Sequence, residues 1–385
     1  MRRLLVLASV MVFFDVTFFA AISPLLPEYV AEFGLSKAGA GILAGAYAAG
    51  TLAASLPAGW LATHAGPRRT VIGGLLLLGV TSVVFGFGEQ IVLLDVARFV
   101  QGVAGALIWS GALTWLITTA PPERRGSLIG TALGAAVAGA LVGPAFGALA
   151  AEIGTEIVFG AVLGAALVLV SLVSRLPDAR APERQDMGEV AATILSRPVL
   201  NAIAFVTAPS LMFGAVEVLV PLRIHDLGGG HTLIAAGFIA GAGLEAALAP
   251  IAGRYSDRVG RRTPFVTGMA ICAFAMAGLA TVETLGLELS MLITTSLGAG
   301  ICFAPALTTL SEAAEDTGLH QGFAAGLSNM AWATGQVVGA LVGGAVAGAL
   351  GNVVPSFGIS LLLIVTAAYA YRSLGPVSLR PAEVA

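Results

Sequence analysis

From Leu4 to Pro27 the chain is almost wholly apolar, and runs of this kind recur along its length, separated by short polar breaks. Each approaches the roughly 20 residues a helix needs to cross a hydrocarbon core of about 30 Å. Twelve can be placed, at 4–30, 38–62, 70–88, 92–119, 126–150 and 156–176, then at 198–225, 231–252, 263–282, 287–311, 319–348 and 353–373. Glycine and proline are frequent inside them, which membranes accept because small residues let helices approach closely. The one long break, 177–197, is polar and rich in Pro, Arg and acids. The pattern predicts an all-α membrane protein of twelve transmembrane helices. An N-terminal six-helix half spans 1–176, a cytoplasmic linker 177–197 and a C-terminal six-helix half 198–385.

A few polar residues interrupt the apolar runs, and Asp15 is the most exposed to this cost. At 1.5 Å of rise per residue it lies about 16 Å from Leu4, half way through the hydrocarbon. An Asp there costs about 2.5–3.5 kcal/mol, so such residues usually face a bundle interior or a wet cavity and handle ions or substrate. Protonation relieves the cost, which makes Asp15 a candidate proton carrier as well as a counter-charge. The alternative is an Asp bonded permanently to a neighbouring helix.

Composition excludes other classes. With 57% hydrophobic and 11% charged residues the chain is no soluble domain. The net charge of −3 and the lack of long charged tracts argue against a nucleic-acid partner. Cys272 and Cys302 both fall inside predicted spans, so neither a disulfide nor a metal site is expected. The first run is too long for a signal-peptide core and is read as a retained helix. No G-x-x-x-x-G-K-[ST] loop occurs, so no nucleotide cofactor is expected and an ion gradient remains as the energy source.

Basic residues set the orientation. Of the 19 Lys and Arg, Lys37 and Arg223 fall on one side and Arg98 within a span, while the rest fall on the side of the N-terminus. The positive-inside rule therefore puts both termini in the cytoplasm. The halves are also related to each other. Gly126, Gly130, Gly139, Gly143 and Gly147 recur at one offset as Gly322, Gly326, Gly335, Gly339 and Gly343. The loop from Gly59 through Gly66 to Arg68 and Arg69 recurs at nearly the same offset as Gly253 to Arg262. Paired six-helix repeats with a binding site between them are a transporter architecture.

At these motifs the chain resembles the major facilitator superfamily, in its drug:proton antiporter branch. The G-x-x-x-D-R-x-G-R-R loop stands intact as Gly253, Asp257, Arg258, Gly260, Arg261 and Arg262. The resemblance implies a cytoplasmic latch whose Asp and Arg bond neighbouring helix ends. Its first-half counterpart keeps Gly59, Gly66 and Arg68 but replaces the Asp and the next basic residue with Thr63 and His64. Arg98-Phe-Val-Gln101-Gly102 resembles the fourth-helix Arg signature tied to proton coupling. Gly139, Gly143, Pro144 and Gly147 resemble the fifth-helix antiporter signature. Physically, glycines four apart form a groove for close helix approach, and Pro144 deletes one backbone bond. For Arg98 the competing reading is an i,i+3 pair with Asp95.

The chain is further similar to vesicular monoamine transporters and their bacterial relatives. The segment from Leu4 through Asp15 to Pro27 resembles their first helix, where the matching Asp contacts the substrate amine. Glu217 resembles their seventh-helix acid, and the surroundings of Asn329 their eleventh helix. Where that family carries acids in helices ten and eleven, Phe303 and Asn329 stand here. Glu245, deep in the eighth span, is offered as a replacement coupling acid; a Glu facing a wet vestibule is the alternative.

Asp15, Phe18, Phe19 and Ile22 share a helix face by spacing, as do Asn329, Trp332 and Gln336. The expected substrate-binding set is Asp15, Glu217, Phe18, Phe19, Asn329, Trp332 and Gln336. The expected proton-coupling set is Asp15, Arg98, Glu217 and Glu245. The expected partners are a small amine or cationic substrate, protons and lipid, for a monomer in a bacterial inner membrane. Three functions compete: proton-coupled export of amines or lipophilic cations, symport or facilitated passage of a sugar, osmolyte or organic acid, and a membrane sensor or scaffold. Buried acids and the antiporter glycines favour the first.

Overall fold

The computed structural model describes residues 2–121, 125–179, 187–319 and 321–374. Its regular structure is helical. The helices are α1 (Arg2–Ala20), α2 (Ile22–Phe33), α3 (Lys37–His64), α4 (Pro67–Gly86), α5 (Ile91–Thr119), α6 (Arg125–Ile153) and α7 (Thr155–Ser174). After the short α8 (Met187–Ile194) come α9 (Arg197–Asp226), α10 (His231–Val259), α11 (Arg262–Leu279), α12 (Leu285–Asp316), α13 (Gln321–Leu350) and α14 (Val353–Ser373). The described residues supply 12 spans long and apolar enough to cross a membrane, with α1 and α2 joined into the first. Helix is what the composition demands, because lipid offers backbone groups no hydrogen bonds and each span must satisfy its own.

The predicted first run is a single span with an internal break at Ala21. Pro24 lacks the N–H that would bond the Ala20 carbonyl, so the ladder is weakened there. Elsewhere the ends follow local chemistry. Ser36 Oγ accepts from Gly39 N–H at the start of α3, and Pro67 opens α4. Gly66 and Gly260, at matching points of the two repeated loops, both take positive φ, 95° and 85°. A side chain at either would be strained.

Two hydrophobic clusters form the halves. One gathers Phe18, Phe85, Trp115 and Phe159, the other Phe205, Met212, Phe265 and Met269. Their helices repeat the same packing. Gly139, Gly143 and Gly147 bring α6 against α1, where an added methyl would run into the backbone of Phe13, Thr17 and Ala21. Gly335 and Gly339 bring α13 against α9 in the same way, over the carbonyls of Thr207 and Leu211, with Gly343 beside Ala215.

The halves meet where α3 packs on α13 and α6 on α10, with α2 against α9. Among the described residues, polar ties between them are found at the far end of the bundle. Lys37 Nζ on α3 donates to Asn352 Oδ1 at 2.6 Å, and His231 on α10 meets Glu152 on α6 at 2.9 Å. At the opposite, basic end the described ion pairs stay on one side. Arg68 reaches Asp178 and the Leu176 carbonyl just beyond α7, and Arg261 pairs with Glu312 of α12. The molecule is therefore closed at its far end.

The glycine seams generate a prediction. Gly143→Ala and Gly339→Ala, at matching positions, should each lower stability by about 1–3 kcal/mol through overpacking. The midpoint of thermal unfolding of the detergent-purified protein reports this, and unchanged midpoints would mean the seams are looser than described.

Candidate substrate and proton site

Asp15 sits at the centre of the first half, 1% exposed. Its carboxylate accepts from two helices, Oδ1 from the Tyr47 hydroxyl of α3 at 2.6 Å and Oδ2 from the Trp109 indole N–H of α5 at 3.1 Å. Both donors are neutral, so Asp15 is hydrogen-bonded without being ion-paired. Gly105 makes room for this arrangement, since a methyl there would meet both the Tyr47 hydroxyl and the Asp15 carboxylate.

Arg98 is equally buried, and its partners are not carboxylates. It donates to the Phe18 carbonyl at 3.1 Å, the Phe19 carbonyl at 3.2 Å and Gln101 Oε1 at 3.2 Å. Gln101 is in turn held by donating to Ser82 Oγ. The guanidinium thus caps the carbonyls at the end of α1, beside the break at Ala21, where a cation is favoured by the helix dipole. It also lies 5.1 Å from the Tyr47 ring centroid, a cation–π contact on the residue that binds Asp15. The alternative Asp95–Arg98 pair does not form; Asp95 Oδ1 is buried with no hydrogen-bond partner. The carbonyls of a broken helix end offer Arg98 a closer set of acceptors.

Glu217, 8% exposed on α9, faces this group from the second half. Its charge lies close enough to Arg98 for the two to interact, although they make no ion pair within 4.0 Å. Phe19 and Trp332 meet across the halves, with ring centroids 5.2 Å apart, and Phe19 also lies 5.1 Å from Tyr47. A wall of Tyr47, Phe19 and Trp332 therefore runs from one half to the other beside Asp15. Asn329, one turn before Trp332, is partly exposed, and Gln336, one turn after it, is buried with Oε1 unpartnered.

Two expected members lie elsewhere. Phe18 turns away from Phe19 into the first half's core, packing edge-on against Phe14 and Phe146 and near Phe159. The glycine seam between α1 and α6 draws that flank of α1 inward. Glu245 lies on α10 with Gly300 of α12 packed against its backbone, and among the described residues it makes no ion pair within 4.0 Å. The structure does not join it to Asp15.

In the second-half loop, Arg261 bonds Glu312 and Arg262 stacks over Tyr371 of α14. Arg258 is exposed, and a methyl at Gly253 would meet nothing. The Asp257 side chain lies outside the described residues. In the first half, a methyl at Gly59 would again meet nothing, while Thr63 and His64 fold back onto the Trp60 carbonyl and His64 stacks on the Trp60 ring.

Tyr47, Gln101 and Trp109 were not among the expected site residues, although the signals were present. Tyr47, Thr51 and Ser55 form a polar i, i+4, i+8 stripe on an Ala- and Gly-rich helix. Arg98, Gly105 and Trp109 fall on one face of α5 by their i, i+7, i+11 spacing.

Paired six-helix halves with charged groups buried at mid-depth are an architecture of secondary transporters. The family model of the Major Facilitator Superfamily matches residues 5–319 and 246–383, and the chain belongs to that superfamily. Among relatives, it is similar to the MFS-type transporter ppzB of Metarhizium rileyi, 39% identical over 22% of this chain and 18% of that protein. It is also similar to the Multidrug resistance protein B homolog of Mycobacterium tuberculosis, 34% identical over 32% of this chain and 22% of that protein. The matched segment thus covers about a fifth of these relatives' length. In fold it resembles a D-xylose-proton symporter, with a TM-score of 0.77 over 97% of this chain and 98% of that one at 15% identity.

The double anchoring of Asp15 is open to test. Tyr47→Phe and Trp109→Phe should each cost about 1.5–3 kcal/mol, the usual worth of a hydrogen bond to a charged group. Combined with Asp15→Asn, each should cost clearly less, and a double-mutant cycle on unfolding midpoints measures the difference. Full additivity would mean the bonds do not carry the anchoring.

Proposed function

We propose that the protein is a proton-coupled antiporter that exports amines or lipophilic cations. The observation that carries this reading is the pairing of a buried, non-ion-paired Asp15 with the Tyr47–Phe19–Trp332 wall that spans the halves. A carboxylate in a dry place attracts a positive guest, and aromatic faces stabilise one through cation–π contact. Arg98 is occupied by helix carbonyls, so the site keeps a surplus of negative charge from Asp15 and Glu217. Such a surplus selects cations and protons over anions. The similarity to a multidrug resistance protein, although limited to a third of the chain, points the same way.

The proposed cycle is competition for one set of acids. With the basic end in the cytoplasm and the far end closed, a cation loads from the cytoplasm against Asp15. The halves then rock about the midplane, and a proton from outside takes the acid and releases the guest. Proton return to the cytoplasm ionises the site again. Glu217, set against Arg98, senses the same proton. The work is transport rather than bond chemistry, in a bacterial plasma membrane.

A second reading has one observation behind it. Gln336 presents an unpartnered oxygen near Trp332, a pairing that would also suit a hydroxylated neutral solute taken up with protons.

Proteoliposome uptake separates the two. An outward-to-inward arrangement that mimics export should accumulate a labelled organic amine only with an opposing pH gradient. Accumulation indifferent to the gradient would defeat proton coupling, and uptake of a labelled sugar in its place would favour symport. Asp15→Asn should weaken amine binding at least tenfold while the protein remains folded; Glu217→Gln should weaken it less and shift its pH midpoint. Unimpaired binding by Asp15→Asn would remove the central site from the account.

A further inference from the structure

The second half holds another acid that this cycle does not use. Glu288 lies in the first turn of α12, 2% exposed, and its Oε2 has no hydrogen-bond partner. It lines a small, partly open space with Val216 and Leu219 of α9, Met276 of α11, and Asn352 and Ser356 at the start of α14. The space has room for roughly one water-sized particle. Three oxygen-bearing side chains, the Glu288 carboxylate, the Asn352 amide and the buried Ser356 hydroxyl, are among its lining residues, and the rest are apolar.

Neighbouring charges leave Glu288 unserved. Arg223 on α9 acts on it electrostatically but spends its Nη2 on the Val282 carbonyl at 3.4 Å and makes no ion pair with it. His231, at the start of α10, is engaged by Glu152. Glu283, on the loop before α12, is exposed. The lining residues of α11 and α14 carry no charge. On the first half, Lys37 reaches the edge of the space through Asn352, whose Oδ1 it holds at 2.6 Å. A carboxylate buried without an ion pair favours a positive guest, because an unpaired buried charge is costly. The space is too small for an organic amine, and oxygen donors suit a hard cation.

We propose that Glu288, Ser356 and Asn352 form a second cation site at the far end, for one small monovalent cation: a sodium ion, or a proton carried with a water. Asn352 belongs both to this site and to the Lys37 tie that holds the far end shut. The guest and Lys37 therefore compete for the same amide oxygen, and occupation of the site loosens closure at that end. This goes beyond the proposed antiport, because it concerns a group remote from Asp15 and sets the conformational balance from the opposite compartment.

The test uses the full-length protein in detergent, spin-labelled at Gln90→Cys and Thr281→Cys, two exposed positions at the far end of the two halves. Sodium chloride is titrated against choline chloride at fixed pH and ionic strength, and pH is titrated separately in choline chloride. At least one titration should raise the population with widely separated labels severalfold. Movement with sodium identifies a sodium site, and movement with acid alone identifies a proton site. Glu288→Gln should abolish the response, and Lys37→Gln should shift its midpoint to lower cation concentration. Ser356→Ala, a smaller change, should raise the midpoint and keeps the test open if Glu288→Gln fails to fold. A wild type that moves in neither titration, or a Glu288→Gln protein that responds like wild type, overturns the site. Amine binding by Glu288→Gln, measured alongside, shows whether the central site stands independently.

Discussion

Hydrocarbon supplies no hydrogen bonds, and the molecule's architecture answers that constraint at each polar atom. The clearest case is the Arg98 guanidinium. It is placed against the carbonyls of Phe18 and Phe19 because the helix there is weakened by Pro24, and those carbonyls face a cation across a low-dielectric interior. Tyr47 then joins the cation to the acid, offering its ring face to Arg98 and its hydroxyl to Asp15. The break in the first span, the buried Arg and the buried Asp therefore form one unit. Removing Arg98 would leave the Phe18 and Phe19 carbonyls without it, and removing Asp15 would leave the Tyr47 hydroxyl and Trp109 N–H unpaired in the protein interior.

The packing within and between the two halves rests on a different property, the absence of side chains. The α1–α6 and α9–α13 seams are lined with glycine, so backbones touch and each half behaves as a tightly packed body. Between the halves, Gly41 of α3 lies so near the Ala340 carbonyl and Gly344 of α13 that a methyl would not fit. Among the described residues, Lys37 with Asn352 and His231 with Glu152 tie that end through exchangeable polar contacts. Rigid bodies joined by replaceable contacts are suited to two discrete arrangements.

Charge placement connects these two features. The acids lie at mid-depth in Asp15 and Glu217 and near the far end in Glu288, while the basic loops gather at the opposite end. A cation crossing the protein would meet its counter-charges in the interior, where water no longer screens them. The pairs Arg68–Asp178 and Arg261–Glu312 at the basic end are partly exposed and correspondingly weaker.

The amino-acid sequence alone determined the spans, the twelve-helix class and the repeat, because run length and the glycine offset are one-dimensional properties that lipid and close packing impose directly. It also exposed Asp15, Arg98 and Glu217, since a charge in an apolar run is conspicuous wherever it points. Tertiary structure decided what those charges touch. Spacing placed Phe18 and Phe19 on the same face of the first helix, yet one entered the core and the other met Trp332, because the neighbouring seam sets the rotation of α1. Tyr47 and Trp109 converge on Asp15 only through the packing of α3 and α5, and Glu245 stays apart although its depth in the sequence resembles theirs. Depth follows from counting residues along one helix, whereas direction depends on which neighbour each helix face packs against.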